Sequence, residues 1–202
     1  MARRVSQEIV KETNQRVLQI GHQGLHVKCT PVRYPLTQEI EKSLDECRDA
    51  LRYCEGFWKN RCMGISAPQV GEMSRFFIMC DRRYWYHPTK MYKNFVTFLN
   101  PEIIAYSEDK IELWEGCMSN NEEICLVERP KTIHARYTNI DGLETDIMLN
   151  GLVSRMYQHE VDHLDGITME SRATETFKLV DLEDEKLFEQ FAKEQEHRIL
   201  LY

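Results

Sequence analysis

Nothing in this 202-residue chain resembles a membrane span, since no apolar run approaches the length a bilayer-crossing helix needs. Nor is there a Lys/Arg cluster that could form the basic stripe of a nucleic-acid surface. With 26 basic against 33 acidic residues the net charge is −7, so no direct nucleic-acid site is expected. The seven cysteines are odd in number, scattered and without a C-x-x-C pair. That argues against a disulfide framework and for a reducing compartment, with thiols serving as core residues or ligands; an intracellular protein is expected. Internal repeats, low-complexity tracts and linkers are missing too. The N-terminal "MARRVSQEIVKETNQRV" lacks the apolar core of a secretory signal, and Glu8 and Glu12 interrupt its arginines, which makes it a poor transit peptide.

What is present fits one domain with a full core. Thr37 is positioned to cap a helix whose apolar positions Ile40, Leu44, Cys47, Leu51 and Cys54 follow helical spacing, with Glu39 and Glu41 in its first turn. "RFFIMCD" and "FVTFLNPEIIAYS" read as strands, followed by "KTIHARYTNIDG" and "ETDIMLN" around an Asp141-Gly142 turn. A second helix is predicted from near Asn150 to Gly166, and a charged last helix from about Leu179 to Leu200, pinned by Leu187, Phe188 and Phe191. A helix, then several strands, then helices predict an α+β domain.

The segment "QHEVDHLDG", residues 158–166, carries an H-E-x-x-H pattern. Residues four apart share a helix face, so His159 and His163 can present two nitrogens to one ion while Glu160 stands beside them as a base for metal-bound water. The alternative is a polar helix face that happens to hold histidines. Against it, Leu152, Met156, His159 and His163 continue one stripe, which points the imidazoles inward. A catalytic site needs a third ligand. "WEGCMSN" offers Cys117, a strong ligand for iron or zinc as thiolate, although a lone cysteine is also a common inert core residue.

Three separated motifs in a fixed order resemble the peptide deformylase family: "GISAPQVG" at 64–71, "EGCMS" at 115–119 and "QHEVDHLDG" at 158–166. Weaker agreement at "LNPEI" (99–103) and "VERPKTIHARYTNIDG" (127–142) extends the likeness over most of residues 30–170. The resemblance implies a single catalytic domain over 1–202. In it, mixed or antiparallel sheets pack around a central H-E-x-x-H metal-binding helix, with an N-terminal and a C-terminal helix. It also implies hydrolysis of the N-formyl group from formyl-methionine on nascent peptides, ribosome-associated chains included. The ligands of one divalent ion would be Cys117, His159 and His163; the ion would be Fe(II), with Zn, Ni or Co able to substitute. Glu160 would move the proton, and Gln69 with the Met118 backbone N–H would hold the oxyanion. Met63 and Gly64 would lie along the peptide, Gly64 allowing close backbone approach. Leu152 and Met156 would line the methionine pocket, a role that plain core packing would fill with the same residue types. Glu115 and Arg129 would pair behind the metal.

Formylated starts place such an enzyme in a bacterial cytoplasm, a mitochondrion or a plastid. A deformylase-like binder without turnover is the first alternative, opposed by the complete ligand, base and oxyanion set. A general H-E-x-x-H metallopeptidase is the second, opposed by the upstream cysteine. The chain departs from the family pattern in having Cys62 for glycine and Ser66 for alanine. Asn120 and Asn121 stand where an apolar residue and proline are usual, and Ile124 where arginine or tyrosine is frequent. With Glu122 and Glu123 between them, these residues are expected to weaken the grip on the peptide.

Overall fold

The computed structural model describes residues 15–53, 62–84, 87, 90–179 and 193. Helix α1 (Gln38–Tyr53) begins as its sequence dictates. The Thr37 hydroxyl accepts the Ile40 N–H at 3.4 Å, and its carbonyl accepts that of Glu41 at 3.0 Å. Leu44, Cys47 and Leu51 are buried at helical spacing, joined by Ala50. Cys54 lies outside the described residues, as does the anticipated C-terminal helix apart from Leu179 and Lys193.

A five-stranded antiparallel sheet runs in the order β1 (Gly64–Ser66), β2 (Phe76–Cys80), β3 (Phe95–Tyr106), β6 (Thr132–Thr138), β7 (Glu144–Asn150). A second antiparallel sheet has the order β4 (Lys110–Cys117), β5 (Asn120–Pro130), β8 (Ala173–Lys178). The strands expected at 75–81, 95–107, 131–142 and 144–150 are all present. The β6–β7 turn closes where Asp141-Gly142 predicts, with Gly142 at φ 83° and the Asn139 carboxamide accepting from the N–H groups of Asp141 and Leu143.

Strand β2 is buried along its whole length, which accounts for its unbroken apolar sequence. Alternation sends Phe76, Ile78 and Cys80 into the cluster shared with α1 and Phe77 and Met79 into a second cluster. That second cluster receives α2 (Gly151–Leu164) through Tyr157, Val161 and Leu164. The Tyr157 ring stands edge-on to Phe77 and Phe98, at 5.0 and 5.4 Å between centroids. The opposite side of α2 bonds to β4 and β5 through Arg155, His159 and Asp162, so the helix lies between the two sheets. It stops at Gly166, φ +74°. A Cβ there would fall 2.7 Å from the His26 carbonyl, so glycine is needed for both conformation and space.

Candidate active site

Three pieces of chain meet at one end of α2. Strand β1 brings Gly64 and the 3-10 turn after it (Ala67–Val70) brings Gln69, the β4–β5 hairpin brings Cys117 and Met118, and the helix brings His159, Glu160 and His163. One ligand atom from each of Cys117, His159 and His163 lies within 4.8 Å of the others. Cys117 ends β4, with its Sγ 3.2 Å from His163 Nε2. The Nδ1 of His159 shares a 3.0 Å hydrogen bond with Glu115 Oε2. As donor in that bond, Nδ1 fixes the tautomer and leaves the Nε2 lone pair for an ion. One thiolate and two imidazole nitrogens, with a further position left for water or substrate, are a donor set that fits a divalent transition metal. His22, His26, His87 and His134 are not in this group, and His197 is outside the described residues.

Behind His159 the Glu115 carboxylate is buried and fully engaged. Arg129 donates to both its oxygens, at 2.6 and 2.8 Å, and Arg155 adds a third bond at 2.6 Å. Burial alone would raise the Glu115 pKa, but Arg129 and the His159 hydrogen bond hold it far below the ordinary carboxylate range. Arg129 also donates to Asp162 at 2.7 Å, and Asp162 accepts from Arg172 at 2.6 Å. The Glu115–Arg129 pair was implied by the family resemblance; Arg155, Asp162 and Arg172 were not read. The available signal was helical, because Arg155 and Asp162 stand four before and three after His159 and therefore share its face.

Burial pushes the Glu160 carboxyl up to about 7, and its Oε2 has no hydrogen-bond partner among the described residues. Burial, with charge on His159 and Arg129, lowers His163 and favours the neutral imidazole that a metal requires. His159 is raised, its contacts with Cys117 and Glu115 outweighing burial. Gly64 has an unanticipated neighbour: a Cβ there would sit 2.6 Å from Glu160 Oε1. Without a Cβ, Gly64 leaves room on this face for the Glu160 side chain.

Gln69 is held by its own oxygen. Oε1 accepts from the Ser66 N–H at 2.9 Å and from its hydroxyl at 3.0 Å, turning Nε2 toward Cys117 Sγ (3.3 Å) and Ser119 Oγ (3.1 Å). Ser66, in the family's usual alanine position, is thus a partner that orients the amide. Met118 is buried in the hairpin turn. Residues 17–20 lace this turn to the Gln69 loop, a contact no motif announces. Leu18 N–H donates to Gln69 O at 2.8 Å, Ile20 N–H to Ser119 O at 2.7 Å and the Gln19 amide to Met118 O at 3.1 Å.

A cavity of about 220 Å³ opens beside these groups, lined in part by Met63, Gly64, Trp114, Leu152 and Met156 along with Cys117, His159 and Glu160. Met156 also packs against the α2 core cluster, so it serves both readings. None of residues 120–124 lines the cavity. Asn120 is buried, its Oδ1 accepting the N–H groups of Glu122 and Glu123 at 2.9 Å each and its amide donating to Glu170 at 2.6 Å. Ile124 is buried in the α1 cluster. Asn120 and Ile124 are therefore used internally, whereas Asn121 is exposed and its amide donates to Gln19 Oε1 at 2.6 Å. Asn120 and Ile124 thus turn into the fold and not toward the cavity.

The polypeptide deformylase family model matches residues 14–178. A peptide deformylase of Salinibacter ruber is 33% identical over 156 residues, 73% of this chain and 74% of the relative. One from Desulforudis audaxviator is 31% identical over 163 residues, covering 81% and 96%. Among solved structures, the Thermotoga maritima peptide deformylase superposes with a TM-score of 0.66 at 28% identity, covering 79% of this chain and 97% of that one. A Met-Ala-Ser-bound class I type b peptide deformylase from Acinetobacter baumannii gives 0.65 at 29% identity, covering 77% and 96%.

Proposed function

Because this chain belongs to the peptide deformylase family, a metal-dependent hydrolase that removes the N-formyl group from nascent peptides, we propose that Cys117, His159 and His163 hold its ion and Glu160 moves its proton. The observation that carries this reading is the meeting, around one cavity, of the Cys-His-His cluster with a buried, elevated carboxyl. A bound divalent ion supplies Lewis acidity toward the formyl carbonyl and eases deprotonation of water. Fe(II) is the proposed resident, a thiolate with two imidazoles suiting it as well as Zn, Ni or Co.

The chain's own residues account for the rest. Glu160 takes a proton from the attacking water and delivers it to the departing amine, which leaves formate and a free N-terminus; a pKa near 7 suits both halves of that task. Gln69 Nε2 and the Met118 N–H stabilise the charge that builds on the carbonyl oxygen. Met63, Leu152 and Met156 receive the methionine side chain, and Gly64 leaves room for Glu160 beside it. Nascent chains as substrate imply work close to ribosomes, inside a bacterial cell or an organelle. The whole chain acts as a single catalytic domain.

Two variants test the assignment. Cys117→Ala should lose most of its metal by elemental analysis, whereas Glu160→Gln should keep it and lose about a hundred- to ten-thousand-fold in turnover. Full, tightly held metal in the first or undiminished formate release by the second would overturn it.

A further inference from the structure

The proposed ligands sit on two separate bodies: Cys117 rides on the β4–β5 hairpin, and His159 and His163 ride on α2. Arg155 joins them. It is 4% exposed, projects from α2 one turn before His159, and reaches both strands of the hairpin. Its Nη1 donates to Glu115 Oε1 on β4 at 2.6 Å and to the Val127 carbonyl on β5 at 2.9 Å, while Nη2 donates to the Ile111 carbonyl on β4 at 2.6 Å. Farther along the same helix face, Asp162 reaches back to Arg129 of β5 at 2.7 Å. His159 therefore stands between two ties, and Arg155 is the one that holds main chain.

We propose that Arg155 is a positioning residue that fixes the hairpin against α2 and thereby sets the placement of Cys117 relative to the two histidines. This rests on the ligand assignment above. Arg129 also ties the hairpin to α2, but through the Asp162 carboxylate, whereas Arg155 reaches main-chain carbonyls on both strands of the hairpin. Lysine carries three donors on a single nitrogen, so it cannot reproduce the planar fork whose two nitrogens reach acceptors on both strands.

The test uses the full chain with Arg155→Met and Arg155→Lys. Three quantities are read: the rate of metal release to a chelator, the thiolate–Co(II) absorption of the cobalt-loaded protein, and the melting temperature. Partners that orient metal ligands are worth about 10–100-fold in affinity, so Arg155→Met should release metal about 10–100-fold faster with a shifted cobalt spectrum, and Arg155→Lys should fall between. Lower melting with a wild-type spectrum and release rate would reduce Arg155 to packing and overturn the proposal. Should Arg155→Met fail to fold, the lysine variant decides by the same two readouts. A wild-type protein that binds no ion, or binds one independently of Cys117, would instead defeat the ligand assignment itself.

Discussion

Single residues in this site are chosen against their neighbours more than for their own chemistry. Gly64 shows this most directly, since any side chain there must displace the Glu160 carboxylate. Gly64→Ala is expected to keep the metal and lose on the order of a hundredfold in kcat, the penalty for misplacing a reacting group by about 1 Å; unchanged kcat would show that the carboxylate has room to move. His159, Glu160, His163 and Cys117 were readable because helical spacing and short motifs are local properties. The contact between Gly64 and Glu160 was unreadable, because it comes from a helix far along the chain. Thiols divide in the same way. Burial lifts Cys29 to about 11 and Cys125 to about 12, so neither should be alkylated in the native protein at neutral pH, as mass mapping after brief labelling would reveal.

At the scale of elements, α2 was found from its periodicity, and its two working faces were not. Leu152, Met156, His159 and His163 form the stripe seen in sequence, yet the side packed on the large sheet is Tyr157, Val161 and Leu164. A helix between two sheets buries both sides, and one hydrophobic stripe cannot announce that. The β4–β5 hairpin was hidden for a related reason. Glu112, Glu115, Glu128 and Arg129 interrupt its strand pattern, and only the folded pairing explains why Glu115 and Arg129 are inside. The same hairpin carries a cost that sequence alone hides. Asn121→Pro with Ile124→Arg, which family likeness alone would favour for tighter peptide binding, places an arginine in the α1 core cluster. The Ile124→Arg change should cost several kcal/mol, and Asn120→Ala about 1–2 kcal/mol through lost turn and Glu170 bonds. Urea denaturation measures both; stability unchanged by Ile124→Arg would mean that this strand is not packed as described.

Across the whole molecule, α2 packs on the five-stranded sheet and is bonded to the three-stranded one through the Glu115–Arg129–Asp162 network, and the proposed ion would tie the hairpin to the helix at the same place. An ion bound only by the folded state stabilises it by about 2.7 kcal/mol when present at a hundred times its dissociation constant. For a chain of this size that corresponds to roughly 5–10 °C in Tm. Stripping the metal should lower Tm by that amount in the wild type and by much less in Cys117→Ala, as calorimetry with and without chelator would record. The α+β class was legible because helix and strand segments separate along the chain, whereas the partition into a five-stranded and a three-stranded sheet depends on pairings that no local pattern encodes. The most direct measurement of what this assembly does is formate release from formyl-Met-Ala-Ser by anaerobically prepared, iron-loaded protein. Many turnovers per bound ion, abolished in metal-replete Glu160→Gln, are expected. Absence of formate from the fully loaded wild type, or equal release by the variant, would contradict a deformylase working through this cluster.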